Sequence, residues 1–255
     1  MVEPEAIINP VKGKHSPTLG ALAMMIGTQG DLSAQCRQLG LDDNRFRRLF
    51  ISRLFQGPDQ DSADGSYSLT GPLIGAPYAV MVLETLISWG AREFVFFGWC
   101  GSLLPTVKIG DILLPHSAFI DEGTSPHYAG PGATLAYPSP AVLGKLENIL
   151  NELNFSYHRC GVWSTDAIFR ETRQKVRTYQ SQGLGAVDME LSALFTVADF
   201  RGVDLGGILV VSDALSTLQW APGFKTAEFK QARIKLYEVI TAYVRKYQSG
   251  NHRKS

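Results

Sequence analysis

The sequence lacks an excess of charge of either sign, because its 24 Lys and Arg residues balance 24 Asp and Glu residues over 255 positions. A nucleic-acid-binding protein usually has a basic excess or a long basic stripe. The basic cluster His252, Arg253 and Lys254 stands at the chain end, where a solvated tail is the ordinary interpretation. The charge balance therefore argues against a nucleic acid as a partner.

Cysteine is scarce, and long apolar runs are missing. Cys36, Cys100 and Cys160 are an odd number of cysteines at wide spacings, which argues against a disulfide framework and a zinc site and fits a reducing cytoplasm. The first residues lack the basic-then-apolar pattern of a signal peptide, and no run approaches the ~18 apolar residues of a membrane span. We expect a cytoplasmic globular protein that binds a small molecule and no membrane.

Apolar residues make up 45% of the chain, enough for a core that needs neither a disulfide nor a metal ion for stability. The length suits one large α/β domain or two small ones, and the sequence has no repeats of the solenoid kind. We predict an N-terminal extension over residues 1–18, one domain over residues 19–248 and a polar tail over residues 249–255.

Apolar runs that end at glycine or polar residues predict buried strands, and apolar positions spaced by three and four predict helices. Strands are predicted at residues 20–27, 48–55, 67–73, 93–97, 111–120, 155–163, 186–189 and 205–212. Helices are predicted at residues 79–89, 142–153, 170–182, 190–200 and 226–247. The core stripe of the last helix is Phe229, Ala232, Leu236, Val239, Ile240 and Tyr243. We interpret the Gly-, Pro- and Ser-rich stretch 121–140 as a functional loop.

Strands alternate with helices from Leu69 onward, which predicts a single α/β domain with a twisted, mostly parallel (mixed) central sheet flanked by helices. Ligands bind such sheets outside the carboxyl ends of the strands. Polar segments fall at those ends at residues 98–102, 187–190 and 212–213. These three segments are therefore the predicted site.

Two carboxyl groups of this site suit the cleavage of a glycoside, which needs a proton donor to the leaving base and a grip on the sugar. Asp213 follows an apolar strand, where desolvation would raise the pKa of its carboxyl group; a helix N-cap is the alternative that composition favours. Glu190 can accept two hydrogen bonds from vicinal ribose hydroxyls, or it can stabilise the start of a helix. Gly98 and Gly101 flank a predicted turn that a ligand can approach closely.

Longer stretches carry a resemblance to a family. GAVDMELSALFTVADFRGVDLGGILVVSDAL resembles the late segment of bacterial and archaeal purine nucleoside and uridine phosphorylases, and FVFFGWCGSLLPTVKIGDILLP resembles their glycine turn and the strand after it. FIDEGTSPHY is similar to the following loop and WSTDAIFRE to the base-side segment. The matches run in order from about Arg53 to the C-terminus and form a specific signal.

The resemblance to the nucleoside phosphorylase family, which includes nucleosidases, implies an enzyme that transfers a pentose from a purine base to inorganic phosphate. It implies no cofactor, and a homo-oligomer that is built from dimers, up to a hexamer. Asp213 would protonate the purine N7, with Lys225 near the place of an assisting arginine, and Glu190 and Met189 would hold the ribose. The further substrate-binding residues that it implies are Val187, Cys100, Gly101, Ile168 and Phe169.

The resemblance also assigns residues to the phosphate and to the subunit interface. Arg53 stands at the spacing of an arginine that the family lends across an interface to phosphate, and Gly30 belongs to the nearest counterpart of the phosphate turn. His15 would reach the ribose 5′-hydroxyl of a neighbouring subunit, and His127 is a second candidate for the interface. For His15, a solvated tail residue is an equal alternative.

The phosphate site departs from the family pattern of a Gly-Asp-Pro-x-Arg turn, because Gly30 and Asp31 are followed by Leu32 and no arginine. A second phosphate arginine falls at Phe96, and a hydroxyl donor falls at Trp99. A dianion without paired donors is strongly disfavoured in a closed site.

Three hypotheses follow from these departures. The first is a phosphorylase in which Arg53 and other basic residues, such as Arg170 or Arg173, rebuild the phosphate site. The second is a hydrolase that uses water, although the glutamate of the related nucleosidases falls near Leu32. The third is a binder of nucleosides or bases that does no chemistry, and the retained Glu190 and Asp213 count against it. The phosphorylase is placed first.

Overall fold

The structure is a computed structural model that describes residues 6–57 and 66–251. Its strands are β1 (Leu22–Ile26), β2 (Arg47–Leu49), β3 (Ser52–Gln56), β4 (Tyr67–Gly71), β5 (Glu93–Ser102), β6 (Ile112–Asp121), β7 (Leu135–Ala136), β8 (His158–Thr165), β9 (Ala186–Asp188), β10 (Asp204–Ala214) and β11 (Ala221–Pro222). Its α-helices are α1 (Gln29–Gln38), α2 (Ala76–Trp89), α3 (Pro140–Glu152), α4 (Arg173–Ser181), α5 (Leu191–Arg201) and α6 (Ala227–Asn251). The basic cluster at 252–254 lies outside the described residues.

The strands form one mixed sheet in the order β11-β10-β6-β8-β9-β5-β1-β4-β3-β2. A further pairing joins β10 to β5 in parallel, so that β5, β10, β6, β8 and β9 close on themselves while β1 to β4 continue as an open wing. The predicted fold class, a single α/β domain with a mixed sheet flanked by helices, is confirmed.

Two apolar layers cover the sheet. One contains the buried faces of α2 and α5, and the other contains those of α1, α3 and α6. All six residues of the stripe predicted for the last helix are at most 2% exposed, because a period of 3.6 residues keeps them on one face of α6. None of the described helices is long and apolar enough to cross a membrane.

Two local expectations need correction, and one helix was missed. Residues 48–55 are a hairpin of β2 and β3 rather than one strand, with Phe50 in the left-handed region at φ 53°. The predicted turn at residues 98–101 is the continuation of β5. Helix α1 was not predicted, since its sequence is polar and its start depends on a local cap: the Thr28 hydroxyl accepts a hydrogen bond from the Asp31 N–H at 3.2 Å.

Candidate active site

The site is organised around Gly101, near the carboxyl end of β5. The strand register pairs Gly101 with Asp213 of β10 on one side and with Val187 of β9 on the other. A Cβ atom added to Gly101 would lie 3.3 Å from the Asp213 Oδ2 atom and from the Val187 Cγ1 atom. The structure thus brings the three predicted polar segments together, and the Leu215 side chain, whose Cδ1 atom lies 2.7 Å from the same added Cβ position, packs over Gly101 beside the Asp213 carboxyl group.

Asp213 is a half-buried strand residue and caps no helix, because β10 runs on to Ala214 and a short strand pair with β11 follows. Its Oδ1 atom accepts a hydrogen bond from the Ser212 hydroxyl at 2.6 Å, and its Oδ2 atom accepts one from the Trp220 indole N–H at 2.9 Å. Both oxygens therefore have a donor in this structure, and the Trp220 side chain that supplies one of them is exposed.

Glu190 is buried at the turn between β9 and α5, and it does not cap α5. Its Oε1 atom accepts a hydrogen bond of 2.6 Å from the backbone N–H of Gly75, the residue before α2. The cap of α5 is Asp188 instead, whose Oδ2 atom accepts the N–H groups of Glu190 and Leu191 at 3.0 and 2.7 Å. Because Asp188 supplies the cap, the Glu190 carboxyl group can serve another purpose.

The electrostatic environment of Glu190 favours its protonated form. Burial raises the pKa of the Glu190 carboxyl from 4.5 to about 8, and the negative charge of Asp188 acts in the same direction. Asp166, whose Oδ2 atom accepts the N–H of Gly123 at 2.8 Å, also raises the Glu190 pKa. A ligand that donates hydrogen bonds to this carboxyl group would replace part of its lost hydration.

A buried polar network holds the turn in place. The Ser164 hydroxyl donates to the Asp188 Oδ1 atom at 2.5 Å and accepts the N–H of Ser192 at 3.0 Å. The Ser192 hydroxyl donates to the Glu122 Oε1 atom at 3.0 Å, and the Glu122 Oε2 atom accepts the N–H of Ser125 at 3.0 Å. Satisfied networks of this kind fix side-chain positions. The turn that carries Glu190 is therefore anchored to β8 and to the segment that follows β6.

The base-side residues predicted from the sequence are less enclosed. Ile168 and Phe169 lie on a short 3-10 helix after β8 and are 51% and 97% exposed. Met189 is half-buried beside Glu190. Cys100 is buried, its thiol donates to the Val210 carbonyl at 3.6 Å, and burial raises its pKa well above the ordinary value. Cys100 is therefore a neutral wall of the site at ordinary pH.

Glu171 and Trp220 are residues of this region that the sequence analysis missed. Glu171 directly follows the 3-10 helix, and burial together with the nearby charge of Asp213 raises the pKa of its carboxyl from 4.5 to about 7. Trp220 reaches Asp213 from the loop before β11. Neither residue belongs to a periodic pattern, so the sequence gives no signal for them beyond the base-side segment itself.

The end of the site where the resemblance implies phosphate is built around a buried carboxylate. Asp31 is 1% exposed. Its Oδ2 atom accepts hydrogen bonds from the Trp99 indole N–H and the Thr28 hydroxyl at 2.8 and 2.7 Å. Its Oδ1 atom accepts the Tyr237 hydroxyl at 2.5 Å and forms an ion pair of 2.6 Å with Arg233. Asp31 therefore has its full set of donors within the protein.

Two aromatic side chains surround this carboxylate. Trp99 packs edge to face on Phe229, with ring centres 4.9 Å apart, and the Arg233 guanidinium lies 5.3 Å from the Trp99 ring. Phe96 is 1% exposed inside the apolar layer of α2 and α5. The backbone N–H of Gly27 donates to the Phe97 carbonyl at 2.8 Å. The side chains that replace the expected phosphate donors are thus engaged within the protein.

The remaining predicted residues make contacts with other side chains or lie on the surface. The Arg53 guanidinium stacks on Phe46 at 4.6 Å within the β2–β3 hairpin. His15, Gly30, His127 and Lys225 are exposed. Among the described residues, no group of three or more His, Cys, Asp and Glu side chains is placed to hold a metal ion.

A cavity of about 650 Å³ lies between the start of α2 and the segment that follows β6, next to the ribose end of the site. His127, Phe50, Met81 and Asp166 are among the residues that line it. Asp166 links the cavity electrostatically to Glu190. The cavity thus adjoins the predicted ribose position. Two of its lining residues, Phe50 and Met81, expose apolar surface to solvent.

Comparisons with known proteins agree with this geometry. A family model described as the phosphorylase superfamily matches residues 23–248. The chain is 30% identical over 151 residues to a DeoD-type purine nucleoside phosphorylase of Caldanaerobacter subterraneus subsp. tengcongensis, over 59% of this chain and 65% of the relative. It is 29% identical over 155 residues to a guanosine phosphorylase of Halorubrum lacusprofundi, over 61% and 63% respectively. The matches thus span somewhat under two thirds of the length of these curated relatives.

The fold is similar to that of a solved purine nucleoside phosphorylase from Toxoplasma gondii, crystallised in complex with immucillin-H. The TM-score is 0.76 and the sequence identity 19%, over 92% of this chain and 93% of that one. At this identity the likeness concerns the fold alone.

Proposed function

The chain belongs to the phosphorylase superfamily, and from this premise we propose that it cleaves the N-glycosidic bond of purine nucleosides. The two curated relatives described above are a purine nucleoside phosphorylase and a guanosine phosphorylase, so we expect this chain to be an enzyme of the same kind. The observation that carries the proposal is the register that sets Val187, Gly101 and Asp213 side by side, with Glu190 three residues beyond Val187.

In this proposal Glu190 holds the ribose by accepting hydrogen bonds from its 2′- and 3′-hydroxyls. Asp213, as a carboxylic acid, donates its proton to N7 of the purine while the C1′–N9 bond breaks and its electron pair moves to the base. The ribosyl cation that forms is captured by an oxygen nucleophile. Because Ser212 and Trp220 occupy both oxygens of Asp213, the purine N7 would have to replace the exposed indole of Trp220.

The residues at the end of the site where the resemblance implies phosphate favour water, rather than phosphate, as the acceptor of the ribosyl group. The sequence alone aligns the Gly-Asp of the family's Gly-Asp-Pro-x-Arg turn with Gly30 and Asp31. Because α1 begins at Gln29 after the Thr28 cap, and because Asp favours the N-cap and Pro the first helical position, we propose that residues 27–31 take the place of this turn instead. In this alignment Asp31 stands where the family has its arginine. A phosphate dianion there would find the Arg233 guanidinium already paired with Asp31, and Phe96 and Trp99 in place of donors.

Product analysis tests both parts of the proposal. Purified protein is incubated with guanosine, inosine, adenosine and uridine, with and without phosphate, and bases and sugars are separated by chromatography. We expect a purine base and free ribose in phosphate-free buffer, at a rate that phosphate does not raise. Release that requires phosphate and yields ribose 1-phosphate would retain the cleavage and overturn the water acceptor.

We further propose a homo-oligomer in which a neighbouring copy completes the ribose end. Arg53, His15 and His127 remain the candidate contributors, and the cavity that His127 lines adjoins the ribose end. Sedimentation velocity at micromolar concentration tests this, and a monomer that cleaves nucleosides would contradict it.

A further inference from the structure

We propose that the hydrogen bond from Trp220 to Asp213 is a blocking contact: the indole occupies the carboxyl oxygen that the purine N7 needs, and the base has to displace it. The inference rests on the proposed function and adds to it a positioning residue that acts through Asp213. Three features of the segment between β10 and α6 support it: the bond of the indole, the exposure of its ring, and the fixed backbone on both sides.

The blocking contact and the proposed bond of the base use the same atom. The Trp220 Nε1–H group donates to the Asp213 Oδ2 atom at 2.9 Å. An indole N–H can only donate, so it needs this oxygen as an acceptor. The purine N7 can only accept, so it needs the oxygen to carry a proton, which comes from solvent. The two partners of Oδ2 therefore exclude each other.

The other oxygen of Asp213 has a partner that can turn away. The Ser212 hydroxyl donates to the Asp213 Oδ1 atom at 2.6 Å, and it also lies within hydrogen-bond distance of the Cys100 carbonyl oxygen, at 3.2 Å. A hydroxyl has one proton and two lone pairs, so Ser212 can donate to Cys100 and accept from a protonated Asp213. The indole of Trp220 cannot accept, so of these two partners it is the one that has to leave.

Little besides this hydrogen bond holds the Trp220 side chain in place. The residue is 63% exposed, and its ring centre lies 6.4 Å from that of Phe224, which is itself exposed. The free energy of apolar burial scales with the area that is removed from water. Rotation of a ring that is already mostly in water therefore costs little, and an arriving base can displace it.

The ordinary alternative is a structural tryptophan–aspartate pair, and two such pairs in the described part of the chain allow a comparison. Trp163 donates to Asp121 and Trp99 donates to Asp31, both at 2.8 Å. Trp163 is 0% exposed, and Trp99 packs edge to face on a neighbouring ring whose centre is 4.9 Å away. Trp220 makes the same kind of bond without such packing, so this bond can open without a change in the core.

The backbone around Trp220 is fixed, so the motion involves the side chain and not the whole segment. Before it, the Leu215 N–H donates to the Ser102 carbonyl at 2.9 Å, and after it, the Gly223 N–H donates to the Ser212 carbonyl at 2.8 Å. The short strand β11 pairs antiparallel with the end of β10. Rotation of the Trp220 side chain about its own bonds is therefore enough to open the blocking contact.

The test compares the wild type with Trp220→Phe, which keeps an aromatic ring and removes the N–H. The control Tyr137→Phe removes the polar hydrogen of another exposed aromatic residue. Calorimetry measures the affinity of each protein for hypoxanthine and for 7-deazahypoxanthine, in which a C–H group replaces N7. We expect W220F to bind hypoxanthine about 3- to 10-fold more tightly than the wild type, since one hydrogen bond no longer competes. Its affinity for the deaza base should be unchanged, and Y137F should change neither affinity.

Two further readouts follow the indole itself and the reaction. Hypoxanthine should change the tryptophan fluorescence of the wild type, and W220F should lack this change. W220F should also lower KM for inosine by the same factor and leave kcat unchanged, because the blocking contact is already open in the bound state. Thermal unfolding checks that both variants are folded.

Equal or weaker binding of hypoxanthine by W220F, or an equal gain for both bases, would overturn the blocking contact while leaving nucleoside cleavage in place. If hypoxanthine binds but no nucleoside is cleaved, the proposed function fails, and a gain in W220F that is confined to hypoxanthine still supports the contact. If neither base binds and no nucleoside is cleaved, both proposals fail together.

Discussion

Replacement of Glu190 tests the ribose role most closely, and two variants separate recognition from folding. Glu190→Ala removes the carboxyl group and leaves the N–H of Gly75 without its acceptor. Glu190→Gln keeps an amide oxygen in the same place, so that the Gly75 hydrogen bond of 2.6 Å can persist. The glutamine variant therefore changes the charge and the donor–acceptor pattern toward the ligand at little cost to the fold.

The magnitude follows from the hydrogen bonds that each variant loses. Above the Glu190 pKa of about 8 the carboxyl group is ionised, and two charge-assisted bonds to the ribose hydroxyls are then worth about 1.5–3 kcal/mol each, so at about pH 9 E190A should weaken nucleoside binding by roughly two orders of magnitude or more. The unpaired N–H of Gly75 should cost E190A a further ~1–3 kcal/mol of stability. E190Q should lose affinity by a smaller factor and retain stability near that of the wild type.

Isothermal titration calorimetry with guanosine, next to urea unfolding of each variant, makes the measurement. We expect the affinities in the order wild type, E190Q, E190A. Unchanged affinity in E190A, with a folded protein, would refute the assignment of Glu190 to the ribose.

Three further outcomes are expected. Burial raises the Glu190 pKa from 4.5 to about 8, so the folded state binds this proton more tightly than the unfolded state, and the free energy of unfolding should fall as pH rises from about 4.5 to about 8. The melting temperature of E190Q should fall less over this pH range than that of the wild type, and equal falls in the two proteins would contradict the raised pKa. Asp31→Asn should lower the free energy of unfolding, measured in urea, by about 2–4 kcal/mol, because Arg233 loses its charged partner. A decrease of less than about 1 kcal/mol would contradict the importance of this ion pair. In Gly101→Ala the added methyl would lie 2.7 Å from the flexible end of Leu215 and 3.3 Å from Asp213, so we expect kcat/KM to fall more than about 10-fold with little change in melting temperature; full activity would place the base elsewhere.

The strand ends and the core helices could be read from the sequence because they follow from simple periodicities. The stripe of α6 is buried as a period of 3.6 requires. Apolar runs that end at polar residues placed Asp213 and Val187 at neighbouring strand ends, and the register of β9, β5 and β10 joins them at Gly101. What the pattern could not supply is the antiparallel pairing of β9 with β5, which depends on the closure of the sheet.

The parts that escaped prediction depend on single side chains in three dimensions. Helix α1 begins because Thr28 caps it, and Asp31 is buried because donors from α6 and from Trp99 reach it across the fold. The partners of Asp31 on α6 are 202 and 206 positions away in the chain. A sequence pattern carries no information about contacts at that separation, so the buried and fully bonded Asp31 became visible only in the structure.

The claim on which the account depends is that Asp213 protonates a purine that leaves a ribose held by Glu190. The most direct measurement is the rate of base release from guanosine by the wild type and by Asp213→Asn, whose amide can still accept the Trp220 hydrogen bond but cannot supply the proton. We predict release by the wild type and a rate at least about 100-fold lower in D213N, the range attributed to general acid catalysis. Equal rates in the two proteins, or no release by the wild type, would contradict the account.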